Sequence, residues 1–391
     1  MKFPLVLVAL LALAHSASAD PTIRQKPAHE GGYSFARTMT VGGPEADDES
    51  YFYERFGPVE VAADRQGRMH VLDNGNARVQ VFGTDGTFLR SIGSEGDGPG
   101  EFRIPTRLSV NAAGDIAVFD IGQGRVSVLG ADGTLKRDQI VTAQPESIVL
   151  ADDGRLFLGF GDRGPAKVQV FAADGALAWE GGEIPPMGGR VVKMEIGRQT
   201  VAPRLVIVGG KAVVRVPEGD YLLERFEKGS AVAFARPLER RKYTAEELAP
   251  PSEEEGNVEH VIVVRRDGPG GDGGGAPSSG GGGGGSWSAE GDEGEAMHID
   301  PAELRKYLPT HHSATRGVLA WPDGRLWVLT SEGRKGQQVD EWSASGEWTR
   351  RFDMPEEYDW LAIGHDGKLY SVTHDEDDYP SVHRIEVTPD A

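Results

Sequence analysis

The feature that most restricts this chain is a 47-residue repeat. Residues 58–105 read PVEVAADRQGRMHVLDNGNARVQVFGTDGTFLRSIGSEGDGPGEFRIP. Four short apolar runs, at 59–63, 69–72, 79–82 and 88–92, are each cut off by a turn containing glycine. Gly67 recurs as Gly114, Asp73 as Asp120, Arg78 as Arg125 and Gly86 as Gly133, all displaced by 47 positions. Alternation of apolar and polar residues with two turns per unit specifies antiparallel strands, not the 3.6-residue period of a helical repeat. A four-stranded meander cannot bury both of its faces alone, so copies must stack; radial copies close into a β-propeller.

Later units follow the same plan. Unit three starts at Pro145 and has turns at 152–154 and 173–175. Unit four is less regular, with strands expected at 204–208, 212–216, 221–226 and 231–234. Unit five has strands around the turns at 322–324 and 344–346, and unit six runs from Trp360 to the end without a fourth strand. The alternating segment 33–41 (YSFARTMTV) stands apart from the first repeat. Pairing it with 382–387 would supply the missing strand and satisfy an otherwise open edge. The expectation is an all-β, six-bladed β-propeller over residues 33–391, closed by an N-terminal strand.

Residues 239–316 interrupt the repeat between units four and five. Short helices are expected at 240–248 and 301–308, the second opened by Asp300, Pro301 and Glu303 in a capping pattern. A strand is expected at 261–264. The Gly-rich stretch holds almost no apolar side chains, so disorder is expected over about 267–296. The insertion lacks the lysine and following helix of a phosphate-cradling loop. It is placed as a lid over the ring.

The chain carries 41 Lys and Arg against 61 Asp and Glu, a net charge of −20, which argues against a nucleic-acid-binding groove. It has no cysteine, so neither disulfides nor thiolate chemistry are available. Lys2, the apolar run 5–14 and Ala17-Ser18-Ala19 form a signal peptide over residues 1–19. The expected product is periplasmic or secreted, monomeric, without a membrane span after cleavage, and with a flexible segment at 20–32.

Four positions are expected to ring one mouth of a central channel: Glu60, Arg107, Ser147 and Trp360, each near the start of an innermost strand. An acid, a base, a hydroxyl and an indole there form a polar binding funnel. Asp73 with Arg78, and Asp120 with Arg125, are read as bidentate pairs fixing the loop between second and third strands. No catalytic residue is assigned. No cofactor is expected; the alternatives are zinc, which needs three or four convergent ligands from histidines such as His70, His311, His312 and His365, and calcium at the oxygen-rich run 374–378.

The run VLDNGNARVQVFGTDGTFLRSIGSEGDGPGEFRIP resembles an NHL repeat, and the chain is similar to exported bacterial six-bladed β-propeller proteins with NHL-like blades. Asp73, Asn76, Arg78, Asp120, Arg125 and the segment 96–102 carry the likeness. Units three, five and six lack the Asp-x4-Arg pair. The resemblance implies the fold; such propellers bind, scaffold, eliminate or hydrolyse. Two enzyme classes are similar: lyases with histidine-bound zinc, and lactonases with a Glu, Asn and Asp cage. Gly57-Pro58-Val59-Glu60 matches the lactonase opening only in part, because the glutamate follows Gly-Pro instead of preceding it. The expected role is binding of a partner protein, peptide, glycan or small ligand at one face of the ring. A metal-dependent lyase or lactonase is the alternative.

Overall fold

The computed structural model describes residues 22–23, 26–29, 31–55, 59–160, 167–181, 205–208, 212–216, 221–227, 230–236, 238, 242, 314–330, 332, 338–354 and 360–390. The expected signal peptide, the two insertion helices, the strand at 261–264, the Gly-rich stretch and the lid lie outside these residues.

The described residues form six sheets, antiparallel except where β1 joins blade 4 in parallel. β1 (Thr22–Ile23) and β2 (Tyr33–Gly42) precede the first repeat. Blade 1 is β3 (Glu60–Ala63), β4 (Met69–Asp73), β5 (Arg78–Phe82) and β6 (Phe88–Ile92). Blade 2 is β7 (Pro105–Val110), β8 (Ile116–Asp120), β9 (Arg125–Leu129) and β10 (Leu135–Ile140). Blade 3 is β11 (Ser147–Leu150), β12 (Leu156–Phe160), β13 (Lys167–Phe171) and β14 (Leu177–Gly181). Blade 4 is β15 (Leu205–Val208), β16 (Ala212–Arg215), β17 (Leu222–Glu227) and β18 (Ser230–Ala235). Blade 5 is β19 (Thr315–Ala320), β20 (Leu326–Thr330), β21 (Gln338–Trp342) and β22 (Trp348–Asp353). Blade 6 is β23 (Trp360–Ile363), β24 (Leu369–His374), β25 (Pro380–Pro389) and, on its outer edge, β2.

The first strands of the blades touch in cyclic order, β3 to β7, β11, β15, β19, β23 and back to β3. Six apolar clusters sit one at each blade–blade interface. Val61, Val71, Tyr370 and Val382 join blades 6 and 1, for example, and Val79, Phe102, Leu108 and Val118 join blades 1 and 2. The chain is therefore a six-bladed β-propeller. The alternation seen in sequence is the inter-blade packing: each sheet buries both faces, and its apolar side chains interdigitate with those of its neighbours.

Ring closure follows the expected register. Val41 pairs with Val382 and Phe35 with Val387. The N-terminal segment also does more than was expected of it. Residues 20–32, read as flexible, include β1, which adds in parallel to β18 of blade 4 through Thr22 opposite Phe234. The Ala28 and His29 amides donate to the carbonyls of Trp348 and Thr349 in blade 5 (2.9 and 2.8 Å). Open strand edges attract a passing backbone, and this segment satisfies two of them. The insertion also ends earlier than read: Thr315 and Arg316 already belong to β19.

A latch recurs around the rim. Arg384, Arg90, Arg137 and Arg225 each donate to a hairpin-turn carbonyl of the following blade, at Thr84 (2.7 Å), Ala131, Ala173 and Ala344. Arg90 and Arg137 are themselves 47 positions apart, so the latch is part of the repeat.

Two buried histidines set an acid limit. His70 is fully buried, with Nδ1 3.2 Å from the Arg68 carbonyl. His383 lies between the hydroxyls of Thr40 (2.9 Å) and Thr373 (2.7 Å), tying together β2, β25 and β24. Burial pulls each down to about 4, helped at His383 by the charge of Arg37. Both stay neutral in the native ring, whereas the unfolded chain protonates them near pH 6.5. Stability is therefore whole above that pH and falls as pH drops toward about 4, by up to about 1.4 kcal/mol per pH unit for each histidine. Urea unfolding at several pH values should show a shallower acid slope for His383→Gln than for the natural chain; equal slopes would refute this.

Candidate functional site at one end of the ring

In every blade the innermost strand begins at the end where the second strand finishes. The register puts Glu60 opposite Leu72, Arg107 opposite Phe119, Ser147 opposite Gly159 and Trp360 opposite Val372. These are equivalent positions on four consecutive blades, 6, 1, 2 and 3. The four expected residues thus form one arc.

Within that arc Glu60 and Arg107 meet. The Glu60 carboxylate, 2% exposed, accepts from the Leu108 amide of blade 2 (2.7 Å) and stands 3.6 Å from the Arg107 guanidinium. Arg107 in turn donates to the Glu146 carbonyl (3.0 Å), next to Ser147 on blade 3, and to its neighbour Thr106 (2.6 Å). Acid and base therefore stitch adjacent blades as well as lining the end of the ring. Trp360 is half-buried against the cluster between blades 6 and 1. Its indole Nε1, and the Thr106 Oγ1 beside Arg107, are buried and find no hydrogen-bond partner among the described residues.

Across the ring, the bulge of β19 places Arg316 one residue before the equivalent position on blade 5, with 7% exposure. Sequence reasoning missed it because the insertion was taken to run through it. At the same end, His374 closes β24 with Nε2 2.8 Å from the Glu54 carboxylate, whose other oxygen accepts from the Val59 amide (2.6 Å).

The loop pairs fare differently. Arg78 Nε reaches the fully buried Asp73 at 2.8 Å, as one contact and not the bidentate pair expected. The other Asp73 oxygen accepts from the Tyr53 amide (2.8 Å), and Asn76 donates to both. Asp120 and Arg125 face each other across the strands, but the expected pair is not what forms. Asp120 accepts from the amides of Arg103, Ile104 and Gln123 (2.5, 3.1 and 3.1 Å). Arg125 turns to Asp138 (3.3 Å) and to the carbonyls of Gly98 and Glu101. A buried carboxylate gains most from whichever donors reach it, and here the incoming linker supplies backbone amides. In both blades the aspartate pins the chain segment that enters the blade.

The acidic run 374–378 makes a hairpin turn. Asp375 accepts from the amides of Asp377 (3.1 Å) and Tyr379 (2.9 Å), so its carboxylate closes its own turn. His311 and His312 lie outside the described residues. His70 Nδ1 faces the Arg68 carbonyl, and His365 Nε2 lies 3.0 Å from the Val110 carbonyl. Among the described residues, three ligating side chains do not converge.

A family model described as a six-bladed β-propeller matches residues 55–168. This agrees with the sheets seen here. No curated protein matches the chain. Solved structures similar to it include a Bacteroides fragilis protein considered to be exported (14% identity, covering 91% of this chain and 95% of that one, TM-score 0.49). A virginiamycin B lyase from Staphylococcus aureus is 11% identical, with coverage of 92% and 89% and a TM-score of 0.43. A gluconolactonase from Xanthomonas campestris is 11% identical, with coverage of 89% and 100% and a TM-score of 0.40. No helix among the described residues is long and apolar enough to cross a membrane.

Proposed function

We propose that this is an exported binding protein that takes a small, acceptor-rich ligand, or the polar end of a peptide or glycan, at the end of the ring carrying Glu60, Arg107, Ser147 and Trp360. The observation that carries the reading is the pair of buried donors without partners there, Trp360 Nε1 and Thr106 Oγ1. Leaving such groups unsatisfied costs about 1–3 kcal/mol each; both are covered in the free ring, so a bound acceptor removes that cost by drawing the Trp360 and Thr106 side chains toward it. Arg107 and the buried Arg316 bias the site toward ligands with negative or strongly accepting groups. Glu60, held by the Leu108 amide and facing the Arg107 charge at 3.6 Å, keeps the arc in place. The lead segment at residues 1–19 supports export.

The test is a calorimetric screen of carboxylates, sugars and short peptides against the natural chain, Trp360→Phe and Thr106→Val. A ligand of the natural chain should lose about tenfold in affinity for each variant, the equivalent of one hydrogen bond. No ligand in any class, or ligands bound equally by both variants, would overturn the reading. Elemental analysis of the same samples addresses the lyase or lactonase alternative, in which Glu54 and His374 would need a further ligand beside them to hold a metal.

A further inference from the structure

We infer that the loop between the closing strand and blade 1 is a second, separate docking surface, a tyrosine platform for a cationic peptide segment. Residues 51–53 alternate out, in and out. Phe52 is 2% exposed and packs edge-on against Phe82 (6.0 Å between centroids), while Tyr51 and Tyr53 are 38% and 46% exposed. Tyr51 stands edge-on to Tyr379 of the blade 6 hairpin at 6.3 Å. Among the described residues Tyr51 and Tyr53 are the large aromatics left exposed, with Tyr51 braced against Tyr379.

The platform is held rigid from beneath. Arg78, neutralised by Asp73, donates to the carbonyls of Asp48 (3.0 Å) and Tyr51 (3.2 Å), and Gln80 donates to that of Glu49 (2.8 Å). The Tyr53 amide bonds Asp73, and its carbonyl accepts from the Gly75 amide (2.8 Å). Any side chain at Gly75 would collide with Tyr53, so the glycine is there to let the loop lie flat on the blade. A preorganised surface binds without first having to order itself.

Charge selects the partner. Residues 47–55 carry four acids and one arginine, and the adjoining turn 375–378 carries four acids. Tyrosine faces attract guanidinium and ammonium groups, and carboxylates around them add to that attraction. A Lys- or Arg-rich segment of a partner protein fits both features; a neutral sugar would use the rings and ignore the acids.

The test is titration of an octa-arginine peptide, with a neutral peptide and a maltooligosaccharide in parallel. The natural chain should bind octa-arginine in preference to both. Tyr51→Ala/Tyr53→Ala should weaken binding about tenfold with an unchanged melting temperature, while Tyr51→Phe, which keeps the ring, should stay within about threefold. Asp132→Asn/Asp174→Asn removes two charges from exposed turns at the opposite end of the blades and should change affinity less than about twofold, since those charges lie beyond screening range. Overturning results are absence of octa-arginine binding, equal or tighter binding of the oligosaccharide, an unaffected tyrosine double variant, or an equal loss in the distant charge variant. Because none of these changes touches Trp360, Thr106 or Arg107, failure here leaves the ligand site at the ring end standing, and the converse.

Discussion

A chain lacking residues 20–42 is expected to lose cooperative unfolding altogether. β2 is the outer strand of blade 6, paired with β25 from Tyr33 opposite Pro389 to Gly42 opposite Ser381. It brings Met39 and Val41 into the cluster between blades 6 and 1, and Tyr33 and Phe35 into that between blades 5 and 6. Burying Met39 and Val41 contributes about 1.5–3 kcal/mol each, and the half-buried Tyr33 and Phe35 add less, so the strand carries a large part of an ordinary domain's stability of about 5–15 kcal/mol. The truncation also leaves the ten-residue strand β25 as an open edge and strips His383 of Thr40. Urea unfolding followed by circular dichroism should change from a single steep transition to a sloping one, with dye binding to exposed apolar surface. A synthetic peptide spanning residues 31–43, added in excess, should restore part of the steep transition. A truncated chain that unfolds as sharply as the full one would show that the ring does not depend on its N-terminal strand.

Why closure was legible in sequence, and the rim was not, has a physical explanation. Blades rest on short apolar strands cut by turns, buried throughout in the second strands and alternating in outer strands such as β6 and β10; the run at 33–41 alternates likewise, and unit six visibly lacks a strand. The register puts Glu60, Arg107, Ser147 and Trp360 each opposite the fourth residue of the second strand, although β7 is longer and bulged before Arg107. What failed was prediction of which donor a buried carboxylate would choose. Asp73 and Asp120 occupy the same repeat position, yet one takes Arg78 and the other takes the Arg103 and Ile104 amides. That choice depends on where the entering linker runs, and the linkers 43–57 and 93–104 do not share a sequence. Arg316 was hidden by an insertion boundary placed too late. Tyr51 and Tyr53 drew no reading from the sequence, because three successive aromatics do not show which of them face outward until the loop is seen lying on blade 1. The arginine latch was present as a 47-residue echo at Arg90 and Arg137 but could not be told from a solvated charge until its acceptors were in view.

Glu341→Leu is expected to destabilise the ring by about 3–5 kcal/mol, the range for stripping one partner from a buried ionic cluster. The Glu341 carboxylate is 3% exposed and serves as the acceptor for groups from three directions. Trp327 Nε1 (3.0 Å) and Thr349 Oγ1 (2.9 Å) donate from its own blade, Arg325 approaches at 3.1 Å, and the Tyr33 hydroxyl donates from the closing strand. Leucine would leave the fully buried Trp327 indole without its acceptor and the Tyr33 hydroxyl without its carboxylate. Burial alone would raise the Glu341 carboxyl, but the hydrogen bonds from Tyr33, Trp327 and Thr349 and the Arg325 charge outweigh it and hold the group below its ordinary range. The same contact, after burial itself, pushes Tyr33 up to about 12, so its hydroxyl remains a donor at any physiological pH. The depressed carboxyl contributes stability that is present above the ordinary carboxylate range and lost as pH falls through its native value. The gap between the natural chain and Glu341→Gln should therefore narrow in acid. Tyr33→Phe keeps the ring packing of Tyr33 against Trp327 and Phe352 and removes one charge-assisted hydrogen bond, for about 1.5–3 kcal/mol. Combined with Glu341→Leu it should add far less than its own cost, because the hydroxyl has already lost its partner. Strict additivity of the two changes would mean that Tyr33 and Glu341 stabilise the ring independently, and that the clasp between the closing strand and blade 5 is packing alone.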